Sequence, residues 1–147
     1  MFTRPFEDYR LGDQWTSKGR TVTETDVVMF ASLTGDWYPL HTDKEWAKQT
    51  RFGQRIAHGL LVVSIAMGLT PLEPGIVVAF YGIDRLRFIA PTFIGDTIRV
   101  TYEITNLHKK SSGGVVVAAM TVLKHPEQAV VVGTASMLLA TPSSCGS

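Results

Sequence analysis

The chain is short of several things that would decide its class at once. It has one cysteine, Cys145, so no internal disulfide can form, and a core otherwise free of cysteine fits a reducing compartment. Long apolar runs are missing. The longest helix-like stretch, Gly59 to Thr70, falls well short of the ~20 residues that cross a bilayer, and Met1 to Asp8 carries no apolar signal-peptide stretch. These two absences lead to the expectation of a cytoplasmic protein with no membrane partner. An excess of charge is missing too: 14 Lys and Arg against 13 Asp and Glu leave a net +1 with neutral histidines. A dedicated nucleic-acid binder would show a basic stripe, so no nucleic-acid partner is expected. No zinc-ligand spacing, phosphate loop, dinucleotide fingerprint or G-x-S-x-G occurs, and neither metal nor cofactor is expected.

What the chain has is core. Apolar residues make up 45% of its 147 positions and charged residues 18%. A chain of about 150 residues buries close to 70% of its unfolded surface and needs no staple. Residues 1–140 read as one domain, and the Pro/Ser/Gly-containing stretch 141–147 as a flexible tail.

The periodicity changes along the chain. Trp15 to Val22 is short and polar and reads as an edge strand. Thr23, with Asp26 three residues on, forms an approximate capping box before Val27, Val28, Phe30 and Ala31, and Gly35 ends that helix. A Pro-containing loop, Asp36 to His41, leads to a short helix over Thr42 to Gln49. Ile56 to Leu69 is apolar nearly all round, and such a helix is expected to be surrounded by protein. Strands follow at Ile76 to Ile83, around Ile98 to Thr105 with strict alternation, Val115 to Leu123 and Ala129 to Ala140. Helices first and then strands with hairpin-sized breaks predict an α+β fold with an antiparallel sheet around the apolar helix.

Residues able to move protons cluster between Asp36 and His58. Pro39 stiffens the loop that joins Asp36 to His41, so a carboxylate and an imidazole there could share one water, an arrangement worth roughly 10²–10⁴-fold in rate. The same spacing also suits an aspartate capping a turn and a surface histidine. His58-Gly59 opens the apolar helix, where unpaired N–H groups favour a developing oxyanion and a glycine allows close approach. Tight packing around a buried glycine would look the same. Ser64, inside that helix, reads either as a pocket residue or as a hydroxyl bonded back to its own helix.

Thr34-Gly35-Asp36-Trp37-Tyr38-Pro39-Leu40-His41-Thr42-Asp43, then Ala47, then Phe52-Gly53-Gln54-Arg55-Ile56-Ala57-His58-Gly59 resembles the MaoC-like dehydratase family, which includes (R)-specific enoyl-CoA hydratases. Arg20 to Val27 and Leu86 to Asp96 extend the resemblance over nearly the whole chain. It implies a hot-dog fold, an antiparallel sheet of five or so strands around the apolar helix. It implies Asp36 and His41 as the catalytic pair for syn addition of water to an enoyl thioester, and the Gly59 N–H as the donor to the thioester oxygen. His58, Ser64 and Tyr38 are the residues implied for substrate binding, coenzyme A thioesters the substrates, and a homodimer joined through its sheets the assembly. Tyr38 stands where the family usually has asparagine, and the larger ring could narrow the pocket, reposition the loop or favour a particular acyl group. Two alternatives share the fold. A hot-dog thioesterase commonly uses a carboxylate on the central helix, and no acidic residue lies between Gly59 and Thr70. The other is a non-catalytic acyl-CoA binding protein.

Overall fold

The protein is described by a computed structural model covering residues 1–141. All of the expected tail but Thr141, Cys145 included, lies outside the described residues. After a 3-10 turn at Phe6–Asp8 come two short strands, β1 (Gln14–Thr16) and β2 (Arg20–Thr21), then helices α1 (Glu24–Thr34), α2 (Pro39–Thr42), α3 (Lys44–Ala47) and α4 (Gly59–Gly68). Four long strands complete the chain: β3 (Val77–Phe88), β4 (Thr97–Lys110), β5 (Gly113–Lys124) and β6 (Gln128–Leu139). All pair antiparallel in one six-stranded sheet of order β1-β4-β5-β6-β3, with β2 also on β4.

The expected edge segment is two strands because Ser17 interrupts it. Its N–H donates to the Val100 carbonyl at 2.9 Å, while its own Oγ takes the Val100 N–H at 2.9 Å. The side chain thus stands in for a rung of the ladder, and the chain turns before rejoining β4.

Helix α1 forms as its signals predict. The Thr23 Oγ1 accepts the Asp26 N–H, the Asp26 carboxylate accepts the Thr23 N–H, and Gly35 closes the helix at φ 80°. The stretch read as a loop followed by one helix is instead two single turns. Pro39 starts α2 at a position where its missing N–H costs nothing. Asp43 ends that turn and caps α3, accepting from the Glu45 and Trp46 N–H groups.

The core lies between α4 and one face of the sheet. Leu61, Val62, Val63 and Ala66 of α4 are buried with Ile98, Val100, Tyr102 and Ile104 of β4 and with Val116, Ala118, Met120 and Val122 of β5. Two corrections to the sequence reading concern α4. It begins at Gly59, because Ile56 and Ala57 are spent on other partners: the Ile56 N–H donates to Leu40 and the Ala57 N–H to Thr92. Nor is it enclosed all round. Leu60, Ser64 and Gly68, spaced four apart on one side, are exposed.

Strand β3 runs five residues beyond its expected end at Ile83, carried past a bulge at Arg85 (φ 51°). It forms one margin of the sheet and leaves Val78, Phe80 and Tyr81 exposed. No helix among the described residues is long and apolar enough to cross a membrane.

Candidate active site

Three segments converge at the start of α4. The loop between α1 and α2 brings Asp36, α2 brings His41, and the residue capping α4 is His58. A cavity of about 260 Å³ opens here, lined by all three together with Gly59, Phe30 and Phe88. One ligating atom from each of Asp36, His41 and His58 lies within 4.8 Å of the other two, so these are the side chains that could hold a water or a cation. Asp43, close by in the sequence, is committed to capping α3.

Hydrogen bonds fix the protons on both histidines. A carbonyl oxygen only accepts, so the His41 Nδ1, 2.7 Å from the Ile56 carbonyl, carries its proton and leaves Nε2 as a lone pair. By the same reasoning the His58 Nε2 donates to the Asp36 carbonyl at 2.9 Å. The rings of His41 and His58 stack with centroids 4.0 Å apart. Burial pushes the His41 pKa below the ordinary histidine value and the neighbouring His58 adds to the fall, while the bond to Ile56 and the nearby Asp36 oppose it.

Asp36 makes the local turn that its spacing suggested and also faces His58. Its Oδ1 accepts the Tyr38 N–H at 3.3 Å, a local turn, while Oδ2 lies 3.9 Å from the His58 Nε2. Gly59 takes the first position of α4, whose leading N–H groups have no intrahelical acceptor. A Cβ added at Gly59 would stand 2.6, 2.7 and 2.9 Å from three ring carbons of Phe88, so this wall of the cavity is built around a residue without a side chain.

Two expected substrate-binding residues are not brought to the cavity. Ser64 bonds back to the Leu60 carbonyl at 2.7 Å and faces a separate groove between α1 and α4. It sits one and a half turns into the helix, and its hydroxyl finds an acceptor within the helix itself. Tyr38 does not narrow the cavity. Its ring is exposed and meets the edges of His41 (6.1 Å) and Trp46 (5.6 Å), because as the residue capping α2 it is directed along the outside of the loop.

Sequence reasoning missed the residues that hold the site together. Arg55 pairs with Glu24 of α1 and donates to the His41 carbonyl at 3.4 Å. Lys124, on β5, is buried and donates to the Pro91 carbonyl (2.8 Å) and the Asp96 carboxylate (3.1 Å). That pins the segment whose Thr92 carbonyl and Phe93 backbone hold Ala57 and Ile56. The position of Arg55 inside the quoted motif was the one available signal.

The model of the MaoC-like domain matches residues 10–125. The chain belongs to the MaoC-like dehydratase family. It is 39% identical over 105 residues to an (R)-specific enoyl-CoA hydratase of Rhodospirillum rubrum, which covers 69% of this chain and 70% of that protein. It is 44% identical over 101 residues to protein MaoC of Klebsiella aerogenes, covering 67% of this chain but only 30% of the other. The chain therefore spans less than a third of the length of that relative. Among solved structures, an Archaeoglobus protein described as a monoamine oxidase regulatory protein superposes with a TM-score of 0.88 at 39% identity, covering 95% of both chains. A Mycobacterium tuberculosis protein with a double hot-dog fold gives 0.83 at 23% identity, covering 95% of this chain and 45% of that one. The architecture of this MaoC-like chain is the α+β hot-dog.

Proposed function

We propose that this MaoC-like chain is a hydro-lyase acting as an (R)-specific enoyl-CoA hydratase and 3-hydroxyacyl-CoA dehydratase, with Asp36 and His41 as its catalytic pair. The observation that carries the reading is the His41 tautomer. With Nδ1–H held by the Ile56 carbonyl, the Nε2 lone pair is available beside the Asp36 carboxylate at the cavity. Two acceptors so placed hold one water between them. As the water oxygen bonds to the β-carbon of the enoyl thioester, one water proton passes to the pair. The electron pair of the double bond moves onto the thioester oxygen, facing the Gly59 N–H. The pair then returns the proton to the α-carbon on the same face, which makes the addition syn, and dehydration is the reverse. The lowered pKa of His41 keeps it neutral near pH 7, the state that accepts a proton. A backbone donor positioned for the enolate oxygen contributes about 2.7–4 kcal/mol to such a transition state.

The ligand class is a coenzyme A thioester, with the acyl end in the cavity and the nucleotide outside. A second copy of the chain joins at the exposed apolar margin of β3, since an uncovered strand with Val78, Phe80 and Tyr81 in the open invites pairing.

The test is loss of the enoyl-thioester absorbance with crotonyl-CoA, with chiral analysis of the product and titration of free thiol. The (R)-3-hydroxy product without thiol supports the reading. Released thiol would make the protein a thioesterase, and tight binding without turnover a binding protein.

A further inference from the structure

His58 is a buried polar side chain in the cavity wall that the proposed chemistry leaves without a task. It is 2% exposed, and its Nδ1 has no hydrogen-bond partner among the described residues. Its ring stacks on His41, with centroids 4.0 Å apart and planes 29° apart, and Phe30 lies tilted against it at 4.9 Å. From its edge, Nε2–H reaches the Asp36 carbonyl at 2.9 Å. One residue therefore touches both members of the pair, Asp36 through a hydrogen bond and His41 through its flat face. Asp36 needs such a latch. Its loop is exposed, and its other bonds are short-range ones to Thr34 Oγ1 and to the Tyr38 N–H.

We propose that His58 is a positioning residue: a neutral Nε2–H imidazole at the start of α4 that fixes the separation and angle of Asp36 and His41. This rests on the reading of those two as the water-activating pair. Three properties are required together, and imidazole supplies them in the smallest flat ring that carries an edge donor. A flat ring supports His41, a donor at the far edge holds the Asp36 carbonyl, and the absence of charge suits a buried site stacked on a second imidazole. The unpartnered Nδ1 is the acceptor atom that this neutral form leaves over. The precision involved is small in distance and large in effect, since a misplacement of about 1 Å costs on the order of 10²-fold in rate.

Two substitutions separate the ring from the donor. His58→Phe keeps the stack and loses the bond to Asp36, while His58→Gln keeps an amide donor and loses the stack. Purified full-length variants are compared for kcat and KM with crotonyl-CoA, and for amide hydrogen exchange at Asp36, Trp37 and Tyr38. The expected result for His58→Phe is a kcat lower by roughly 10²-fold with KM within about threefold, and faster exchange in the loop. His58→Gln should keep the loop protected and exceed the Phe variant in kcat by at least about tenfold. Wild-type kcat and exchange in His58→Phe overturn the proposal. So does a loss carried by KM alone, or equal losses in both variants with an unchanged loop, because either outcome marks a residue acting on the substrate. If His58→Phe does not fold, the Gln variant decides, since an unprotected loop or a loss of about 10²-fold there contradicts the latch. Asp36→Asn is run beside them. Full activity in that variant sinks the reading of the pair, while the exchange data still report whether His58 holds the loop.

Discussion

Replacing Gly59 by alanine separates folding from catalysis more cleanly than any other change near the cavity. The new Cβ would stand 2.6–2.9 Å from three carbons of the Phe88 ring, where carbon atoms ordinarily settle at about 3.5–4.0 Å. The ring must therefore retreat by roughly 1 Å. Phe88 is 52% exposed, so it can swing without disturbing the core, and alanine is a better helix former than glycine by up to about 1 kcal/mol. The two effects nearly cancel, and stability is expected to change by less than about 1 kcal/mol. Activity is not protected in the same way. Both residues line the cavity beside the donor assigned to the thioester oxygen, and a displaced donor or a ring pushed into that space forfeits about 2.7–4 kcal/mol of transition-state stabilisation. We expect kcat/KM for crotonyl-CoA to fall about 10²–10³-fold with a nearly unchanged urea midpoint. Adding Phe88→Ala removes the clash and should recover at least about tenfold. Wild-type activity in Gly59→Ala would refute the assignment of this helix terminus to the reacting oxygen.

Acid should silence the enzyme late. Burial lowers the His41 pKa, so the acid limb of kcat/KM should lie below the ordinary histidine value of about 6.5, and a limb above it would contradict the neutral Nε2 acceptor. The same shift has a sign for stability. Between about pH 6.5 and the lower folded value the unfolded chain binds the proton first, so stability falls as pH drops through that window, and His41→Gln should flatten the slope measured by urea titration. Lys124→Met strands the Asp96 carboxylate in a partly buried site and should cost about 2 kcal/mol in chemical denaturation, with a cost below about 0.5 arguing that the pair is incidental. Ser64→Ala, at a residue outside the cavity lining and bonded within its own helix, should leave kcat/KM within about twofold, and a large loss in steady-state assays would return Ser64 to the site.

Much of this was legible in the residues themselves. Thr23, Asp26 and Gly35 delimit α1 through local bonds, and local bonds are what sequence spacing encodes. The alternation in β4 reports one covered face, and Ile98, Val100, Tyr102 and Ile104 are indeed buried. Asp36, His41, His58 and Gly59 meet at one cavity because a short ordered motif carries all of them. Distant partners left no such trace. Ile56 and Ala57 have helical-looking neighbours, yet their backbone is claimed by Leu40, Thr92 and His41, which only the assembled fold supplies. Lys124 looks like a solvated strand end until Pro91 and Asp96 are placed beside it. The β3 segment is continuously apolar from Ile76 to Phe80, but its place at the margin of the sheet leaves much of it uncovered. Periodicity records what a face prefers, and not whether the same chain provides the cover.

The most direct measurement follows the enoyl-thioester absorbance of crotonyl-CoA with wild type, Asp36→Asn and His41→Gln at equal concentration, with folding checked by circular dichroism. The account predicts rapid loss of the band without free thiol for wild type, and a fall of about 10²–10⁴-fold in each variant, the usual worth of a positioned acid–base group. Full activity in either folded variant would contradict it.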